Sequence, residues 1–471
     1  VTYPAAVEGE ERRASFLFHR LAALFPGAGT GVGQDPRLAA AEPALELAAA
    51  SEEVRRALGT VPELALRLER LTAAGAHRRE PLSPEGVAAL YGRWIPMSAS
   101  RLDEHRACHF SYFMKYGLRA RPRRRADFGS REYGTFVHAV LEDTLKHWDK
   151  SMDPAATRAL ARAAMERYLK EELGGLEDKS PRFAYLFRRL DRAVERLVDN
   201  VTEELRHSEF SPLAFELSFG PGKDLPAVEL EVDGVRLSVT GAVDRVDGWE
   251  HDGKLYVRVI DYKTGKKVFN LTDIYHGIGL QMLLYLFTLE RKGRELFGRE
   301  VVGAGALYVP ARDLPVSGTR DMAEAARRKE EDKILRRKGL VLEDEAVLTA
   351  MADPEVMEHF LPAKMKRDGT IVGEGLASLE RLGRLSAHVR RVLEEVGREL
   401  AAGTVTADPY WRSEEENACA RCEYAAACQF EEGRGDDCRR WSRTLKPEEF
   451  WAALEEENRK GGDEDGLPTD R

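Results

Sequence analysis

The sequence is poor in three features that would each define a class of protein. It has 5 cysteines in 471 residues, too few for a disulfide framework. It contains no uncharged apolar run of about 18 residues, so no membrane span is predicted. Positive charge is not in excess, since 72 Lys and Arg face 81 Asp and Glu. Nucleic-acid binding would therefore need a local basic surface within an acidic protein.

The remaining composition fits an intracellular globular protein. Apolar residues make up 43% of the chain, enough for a sizeable core, and the length fits two to four domains. The opening VTYPAAVEGEERR has charges where a signal peptide needs an apolar stretch, so we expect a cytoplasmic location. Because the chain starts at Val1 with what looks like the middle of a domain, we expect it to be the C-terminal part of a longer protein.

Hydrophobic spacing predicts helices first, then a group of strands, then more helices. Residues 1–95 have mostly helical spacing, and helices continue to residue 204. Asp233-Gly234 and Asp252-Gly253 predict hairpin turns. This order predicts an α/β fold with a mixed β-sheet flanked by helices. The predicted strands are 214–219, 227–232, 236–246, 255–262 and 302–310, with a helix over 272–291.

Two acids and a lysine are predicted to meet at one edge of this sheet. Asp244 ends one predicted strand and Asp261 ends the next, with Lys263 on the same face as Asp261. Carboxylates bind a hard cation such as Mg²⁺, which polarises a phosphate, and a lysine can position the attacking water. The backbone carbonyl of Tyr262 can be a further ligand. Asp-x-Lys also occurs by chance as a surface ion pair, so the triad needs further support.

Two helical motifs can complete such a site. His138, in Gly134-Thr-Phe-Val-His138, can offer a ring nitrogen to a metal, or can instead be a buried, hydrogen-bonded histidine. Gln281 and Tyr285 are four residues apart and share one helix face. They can bind phosphate or hold Lys263, or they can form a polar seam between helix and sheet.

The order of these motifs resembles a known family. Gly-x-x-x-His, Gly-x-x-Asp-Arg-x-Asp, Asp-Tyr-Lys-Thr-Gly and Gln-x-x-x-Tyr resemble the RecB-type branch of the PD-(D/E)XK nucleases. The resemblance implies a restriction-endonuclease-like PD-(D/E)XK core that cleaves DNA with Mg²⁺. Glu216 is a weaker candidate for an additional acid. The roles implied are metal ligands for His138, Asp244, Asp261 and the Tyr262 carbonyl, catalysis for Lys263 together with both aspartates, and accessory roles for Gln281 and Tyr285.

Three of the five cysteines cluster as C-x₂-C-x₅-C, a ligand signature. Spacing alone allows a zinc site completed by Cys438 or a [4Fe–4S] cluster. The segments CHFSYFMKYGL and CARCEYAAACQF, however, resemble the iron–sulfur staple of the AddB family. A cluster that joins Cys108 to Cys428 would close a long loop and so remove entropy from the unfolded state. The resemblance implies a [4Fe–4S] cluster on Cys108, Cys419, Cys422 and Cys428, with Cys438 left as a spare cysteine.

The AddB resemblance extends over nearly the whole chain and implies a domain order. Residues 1–95 would be the C-terminal end of a helicase-like domain, residues 96–432 a RecB-type nuclease domain closed by the cluster, and residues 433–471 an acidic tail. From Ala452 onward the tail has seven acids against three bases, so we expect it to be solvated or disordered. The implied activity is exonucleolytic cleavage of single-stranded DNA ends during recombination repair, in a heterodimer with an AddA-like helicase–nuclease subunit.

A basic segment and two rival functions complete the expectations. Arg121, Arg123, Arg124 and Arg125 predict contact with DNA, although a charge run can also be a solvated face. A stand-alone iron–sulfur nuclease of the CRISPR-adaptation type would have a similar site, but such chains are usually much shorter. A non-catalytic scaffold that guides DNA is the other alternative, and the intact Asp/Asp/Lys set argues against it.

Overall fold

The computed structural model describes residues 6–7, 10–11, 14–25, 35–75, 79–121, 130–175, 181–265, 269–311 and 323–464. The chain divides into two compact units, residues 1–78 and 79–471. The first unit is mostly helical, as predicted, and buries Ala44, Leu45 and Ala48 on one helix face. Its elements are the paired strands Ala6–Val7 and Glu10–Glu11 and the helices Phe16–Leu24, Pro36–Ala39, Ala41–Ala50, Glu52–Leu58 and Pro62–Gly75.

An eight-stranded mixed sheet is the centre of the second unit, as the predicted fold class requires. Its strands are β1 (Trp94–Ser98), β2 (Ser211–Phe219), β3 (Val228–Val232), β4 (Val235–His251), β5 (Lys254–Lys263), β6 (Val301–Pro310), β7 (Lys338–Leu342) and β8 (Leu376–Ala377). The strand order is β8-β7-β6-β5-β4-β1, and β2 and β3 also pair with β4. The pairs β1–β4, β5–β6 and β7–β8 are parallel, and the others are antiparallel.

The two predicted hairpin turns are confirmed. Asp233 and Gly234 have φ of 49° and 79°, and Asp252 and Gly253 have φ of 49° and 76°. Positive φ at both central positions is what a two-residue type I′ turn requires, and its twist matches that of the flanking strands. These turns fix the register of β4 against β3 and β5.

Helices cover the sheet, so its central strands have no solvent face. Residues 257–262 of β5 are all buried, which means that both faces of the strand are covered. No helix within the described residues is long and apolar enough to cross a membrane. The helices are α1 (Pro84–Tyr91), α2 (Ala99–Ala107), α3 (His109–Tyr112), α4 (Ser130–His147), α5 (Pro154–Glu171), α6 (Pro181–Arg206), α7 (Leu271–Tyr275), α8 (Gln281–Phe297), α9 (Glu324–Leu335), α10 (Glu345–Met351), α11 (Met357–Phe360), α12 (Leu379–Ala401), α13 (Ala425–Cys428) and α14 (Pro447–Glu464).

Different helices pack on different strands of the sheet. Helix α4 contacts β5 and packs with α5 and α6, while α8 packs on β5 and β6. Helix α6 is amphipathic, and its buried face repeats at helix spacing. Helix α12 packs on β3 and β4 and carries α14. Short strand pairs lie outside the main sheet: Lys364–Met365 with Ile371–Val372, and Tyr410–Trp411 with Arg440–Trp441.

One predicted helix has different bounds in the structure. The predicted helix 272–291 is two helices, α7 and α8, because Gly277 and Gly279 between them adopt φ of 80° and 77°. The second compact unit begins at residue 79 and contains β1, which pairs with β4, while the predicted domain bounds stay predictions. The helicase-like origin of the first residues stays a prediction.

The prediction of a solvated or disordered tail from Ala452 onward is wrong as far as residue 464, because this part of the chain belongs to a helix. Helix α14 packs on α12, with Phe450 and Leu454 fully buried and Trp451 nearly so. These residues recur at helix spacing and form a narrow apolar stripe. The acidic composition of the segment concealed that stripe. Residues 465–471 lie outside the described part of the chain.

Candidate functional site

The two predicted acids lie on neighbouring antiparallel strands. Arg245 of β4 is opposite Ile260 of β5, which places Asp244 beside Asp261 one step further along. The Tyr262 backbone N–H donates to Asp244 Oδ2 over 2.8 Å. The side chains of Asp244 and Asp261 are only 10% and 3% exposed. The structure therefore brings together the two carboxylates that the strand pattern predicted.

Lys263 and the helical Gln281 are tied to Asp261 in a closed arrangement. Lys263 Nζ lies 2.6 Å from Asp261 Oδ2 and donates to Gln281 Oε1 over 3.1 Å. Gln281 Nε2 donates to Asp261 Oδ1 over 2.9 Å and to the Tyr285 hydroxyl over 3.3 Å. Tyr285 fits because residue 241 is glycine, since a Cβ there would lie 2.7 Å from the tyrosine ring. Lysine, amide and carboxylate thus hold one another in a fixed geometry.

His138 reaches the same place from helix α4. Its Nε2 lies 2.9 Å from the Tyr262 carbonyl oxygen, within hydrogen-bond distance. Its Nδ1 is 3.6 Å from Asp244 Oδ2 and 3.9 Å from Glu216 Oε1. Glu216 is held in β2 with φ of 47°, an unusual conformation for a residue other than glycine. The weaker candidate Glu216 therefore lies beside His138 and Asp244.

A cavity of about 560 Å³ opens onto these groups. Thr264 and Gly265, which follow β5, form one wall, and the first turns of α4 form the other. Gly134 lies close to Thr264, whose Oγ1 would be in ordinary contact, at 3.5 Å, with a Cβ added at residue 134. The lining residues are Gly134, Thr135, His138, Ala139, Glu142, Glu216, Tyr262, Lys263, Thr264 and Gly265.

Negative charge in the site is not fully compensated. Burial, and then the neighbouring charge of Asp261, raise the pKa of Asp244 to about 7. Burial also raises the pKa of Glu216. His138, Glu216 and Asp244 offer ligand atoms within 4.8 Å of one another, which fits a divalent cation. Asp261 is outside this compact group, and Lys263 and Gln281 engage its two oxygens.

A second charge cluster lies on the same strands and was missed by sequence reasoning. Asp247 lies 2.7 Å from Arg245 Nε and 2.9 Å from Arg258 Nε. Glu204 of α6 lies 3.0 Å from Arg258 and 2.6 Å from Arg337. All five side chains are fully buried. Arg245 and Asp247 were visible in the Asp-Arg-x-Asp motif, but no local signal marked the three distant partners.

The cluster also touches the site. Arg245 donates through one terminal nitrogen to the Tyr262 hydroxyl over 2.7 Å. Tyr262 in turn presents its N–H to Asp244 and its carbonyl to His138. The buried arginine therefore anchors the side chain of a residue whose backbone contacts two candidate ligands.

The clustered cysteines lie against the segment that carries Cys108. Burial and the nearby Cys422 and Cys428 sulfurs raise the pKa of Cys419 to about 11, so the three sulfurs are neighbours. The Tyr424 hydroxyl donates to the Ala120 carbonyl over 2.9 Å. Cys108 itself is buried, at the start of α3.

Arg79 joins the two cysteine-bearing segments directly. Its guanidinium lies 4.8 Å from the centre of the Phe110 ring. A terminal nitrogen also donates to the Cys428 carbonyl over 2.5 Å and lies 3.7 Å from its sulfur. Cys438 is exposed, and its N–H donates to the Ala407 carbonyl. The two segments that carry the predicted cluster ligands are therefore joined through Arg79. This contact alone does not assign a ligand role to any cysteine.

The predicted basic segment is only partly within the described structure. Arg121 is exposed at the end of a described stretch. Arg123, Arg124 and Arg125 lie outside the described residues, so their part in the prediction stays untested.

Comparison with known proteins agrees with the geometry. The model of the PD-(D/E)XK nuclease superfamily matches residues 96–429. The chain therefore belongs to the PD-(D/E)XK nuclease superfamily. The match covers both candidate carboxylates and four of the five cysteines.

Particular relatives narrow the resemblance to AddB. The chain is 37% identical over 387 residues to the AddB component of the ATP-dependent helicase/deoxyribonuclease from Desulforudis audaxviator, covering 80% of this chain and 33% of that protein. It is 31% identical over 395 residues to the component of the same name from Clostridium acetobutylicum, covering 82% and 34%. The chain thus spans about a third of the length of the curated relatives that it matches.

Proposed function

We propose that this chain is the Mg²⁺-dependent DNA exonuclease region of a helicase–nuclease. The observation that carries the proposal is the convergence of Asp244, Asp261, Lys263 and His138, of which His138 and Lys263 line the cavity. A buried carboxylate pair beside a single lysine has surplus negative charge, which a divalent cation would neutralise. Oxygen donors dominate the set, and oxygen is the donor that Mg²⁺ prefers.

The residues that would hold the cation are His138, Asp244, Asp261 and the Tyr262 carbonyl, with Glu216 as an additional acid. When bound, Mg²⁺ supplies Lewis-acid activation of the phosphodiester and of a water molecule. His138 already turns Nδ1 toward Asp244 and Glu216, whereas Asp261 would have to share an oxygen that now faces Lys263.

Lys263 is placed to act on the phosphate itself. Its ammonium is held by Asp261 and Gln281, while its side chain lines the open cavity. A positive charge fixed in advance at this position would stabilise charge that develops on phosphate oxygens during cleavage. Gln281, supported by Tyr285, orients both Lys263 and Asp261 and would keep them in place as the substrate arrives.

The relatives' name supports a larger assembly. We infer that this chain works within an ATP-dependent cytoplasmic complex with an AddA-like partner, which feeds it single-stranded DNA ends during recombination repair. The likeness to AddB over about four fifths of the chain favours this function over a stand-alone iron–sulfur nuclease. The basic segment with Arg121, Arg123, Arg124 and Arg125 would contact the DNA backbone, as clustered arginines beside a nuclease site can do.

The cysteines would hold a [4Fe–4S] cluster through Cys108, Cys419, Cys422 and Cys428. Their segments pack together through Arg79 and Tyr424. A tetrahedral zinc site with bonds of about 2.3 Å would hold its sulfurs roughly 3.8 Å apart. No group of three cysteine sulfurs within 4.8 Å of one another occurs in the described part of the chain, so the choice of an iron–sulfur cluster rests on the resemblance to AddB. Cys438 would remain a spare thiol.

A strand-specific cleavage assay tests the proposed activity. The heterodimer is given end-labelled DNA with each strand labelled in turn, in Mg²⁺ and in chelator. We expect Asp261→Ala to abolish cleavage of one strand while the other is still cut. The matched control, Asp252→Asn, changes an aspartate in the exposed turn at the far end of the same strand and should leave both activities intact. Unchanged cleavage of both strands by Asp261→Ala would refute the proposal.

A further inference from the structure

A second group of potential metal ligands lies beside Cys108. His105 ends helix α2, His109 starts α3, and Glu399 comes from α12. Both histidines are almost completely buried, at 1% and 4% exposure. This group is separate from the nuclease cavity and from the four predicted cluster ligands. The function proposed above gives it no role.

The spacing of the three side chains is that of a compact metal site. One ligand atom from each of them lies within 4.8 Å of the other two. Glu399 Oε2 is 3.2 Å from His109 Nε2 and 3.7 Å from His105 Nδ1. A tetrahedral zinc site with bonds of about 2.0–2.1 Å has neighbouring ligand atoms roughly 3.4 Å apart. The two printed distances to Glu399 therefore lie within a few tenths of an ångström of that spacing.

His109 already has the orientation that a metal-bound histidine adopts. Its Nδ1 lies 2.7 Å from Asp408 Oδ2, so Nε2 points to Glu399. Asp408 is fixed in turn, because Arg440 Nε lies 3.0 Å from the same oxygen and the His109 backbone N–H donates to the other. A carboxylate behind a ligating histidine is the usual support for such a ligand, and it sets the tautomer.

His105 is the residue that the metal-free arrangement leaves unexplained. Both of its ring nitrogens are buried without a hydrogen-bond partner among the described residues. Leaving a buried polar group unpaired is unfavourable. Burial, and then repulsion from His109, hold the pKa of His105 well below its usual value, so the ring is neutral and has a free lone pair. A bound cation would satisfy that lone pair.

Positive charge nearby does not block the group. Arg106 lies 3.6 Å from Glu399, but its closer partners are Glu395 at 2.9 Å and the His276 carbonyl at 3.1 Å. Without metal, His109 can be an imidazolium ion between Asp408 and Glu399. That state accounts for His109 but leaves the nitrogens of His105 unpaired.

We propose that His105, His109 and Glu399 bind a divalent transition cation of the zinc type, with Asp408 as the orienting carboxylate. Imidazole and carboxylate ligands together suit zinc, and three protein ligands leave a fourth position for water. The ion would tie the segment that carries Cys108 to helix α12. It would thereby hold the first predicted cluster ligand in place before the remote Cys419–Cys428 segment joins it.

X-ray absorption at the zinc edge, with metal analysis, tests the proposal on the full chain purified without oxygen and reloaded with zinc alone. We expect about one zinc per chain, surrounded by nitrogen and oxygen at about 2.0–2.1 Å. Sulfur neighbours at about 2.3 Å would instead show cysteine-bound zinc and overturn the proposal, as would the absence of zinc. This spectrum of the unmodified chain decides the question even if a variant fails to fold.

Matched variants locate the ion. His105→Gln and Glu399→Gln should each lower bound zinc at least about tenfold, since each removes one of three ligands. His388→Gln is the control, because His388 is equally buried but lies 3.0 Å from Glu457, outside the group. Equal zinc in all three variants would contradict the assignment. Because the readout is metal content, its failure leaves the proposed nuclease function untouched.

Discussion

Two groups of buried charges share the same pair of strands, and Asp244 of one group is three residues from Asp247 of the other. Their charges are balanced in opposite ways. Around Glu204, three arginines outweigh the effect of burial and lower its pKa to about 2. At Asp244, burial and the neighbouring Asp261 act in the same direction and raise the pKa to about 7. Burial is common to both clusters, so the difference comes from the neighbours.

The comparison separates a structural role from a functional one. The cluster of Asp247 and Glu204 contains its own counter-charges and is closed to solvent. The cluster of Asp244 and Asp261 has one lysine for two carboxylates and opens onto a cavity. Perturbed carboxylates in a cavity are typical of functional sites, where a ligand completes the charge balance.

Removing an acid from the closed cluster should have the largest effect. Glu204→Gln leaves Arg337 buried without a carboxylate partner and Arg258 with Asp247 alone, so the free energy of unfolding should fall by about 3–5 kcal/mol. Chemical denaturation monitored by circular dichroism measures the change. A matched exposed variant, Glu203→Gln on the same helix, should change it little. Similar stability of the two variants would break the distinction between the clusters.

Removing the lysine of the open cluster should affect cleavage rather than folding. Lys263→Met keeps most of the side-chain volume but removes the charge that faces the phosphate. We expect the cleavage rate to fall about 10²–10³-fold, as for the loss of one preorganised electrostatic group. The denaturation midpoint should change little. Retained cleavage with a large loss of stability would assign Lys263 to the structural class instead.

The pH dependence of stability should reveal the unbalanced acid. The folded pKa of Asp244, about 7, exceeds its ordinary value of 3.8, so the folded state binds the extra proton between these values. Stability of the metal-free chain should therefore fall as pH rises through this window. Asp244→Asn should remove about 1–2 kcal/mol of that fall, allowing for solvent screening in the cavity. Identical pH profiles of stability in chelator would contradict the account.

Substitution of Gln281 should have the smallest of these effects. It holds Lys263 and Asp261 but is not expected to bind metal. Gln281→Ala should therefore slow cleavage about tenfold, a positioning effect near 1.4 kcal/mol. Gln281→Glu would test the geometry further, because it keeps the acceptor for Lys263 but repels Asp261. Rates equal to those of the unmodified chain in both variants would show that Lys263 needs no support from α8.

Local patterns were enough to predict the open cluster but not the closed one. Asp261 and Lys263 share a strand, and Asp244 reaches them through one hairpin, so strand alternation and turn chemistry place all three. Glu204 and Arg337, however, are 133 residues apart and meet only where the residue before β7 reaches α6 in the folded chain. No local sequence pattern predicts such a contact.

Composition misled at the C-terminus for a related reason. The acids of α14 dominate its average, whereas Phe450 and Leu454 decide its position through a single buried stripe. Glu216 was underestimated because its approach to His138 depends on an unusual backbone conformation in β2. In each case a specific tertiary contact outweighed the local tendency.

The most direct test of the account compares Asp244→Asn with Asp247→Asn in one cleavage assay on end-labelled single-stranded DNA at saturating Mg²⁺. The two aspartates lie on the same strand and differ in their neighbours. We predict that Asp244→Asn lowers cleavage by at least about 10³-fold while remaining folded, as expected if a metal ligand is lost. Asp247→Asn should retain cleavage per folded molecule. Cleavage by Asp244→Asn within about tenfold of the unmodified chain would contradict the proposed active site.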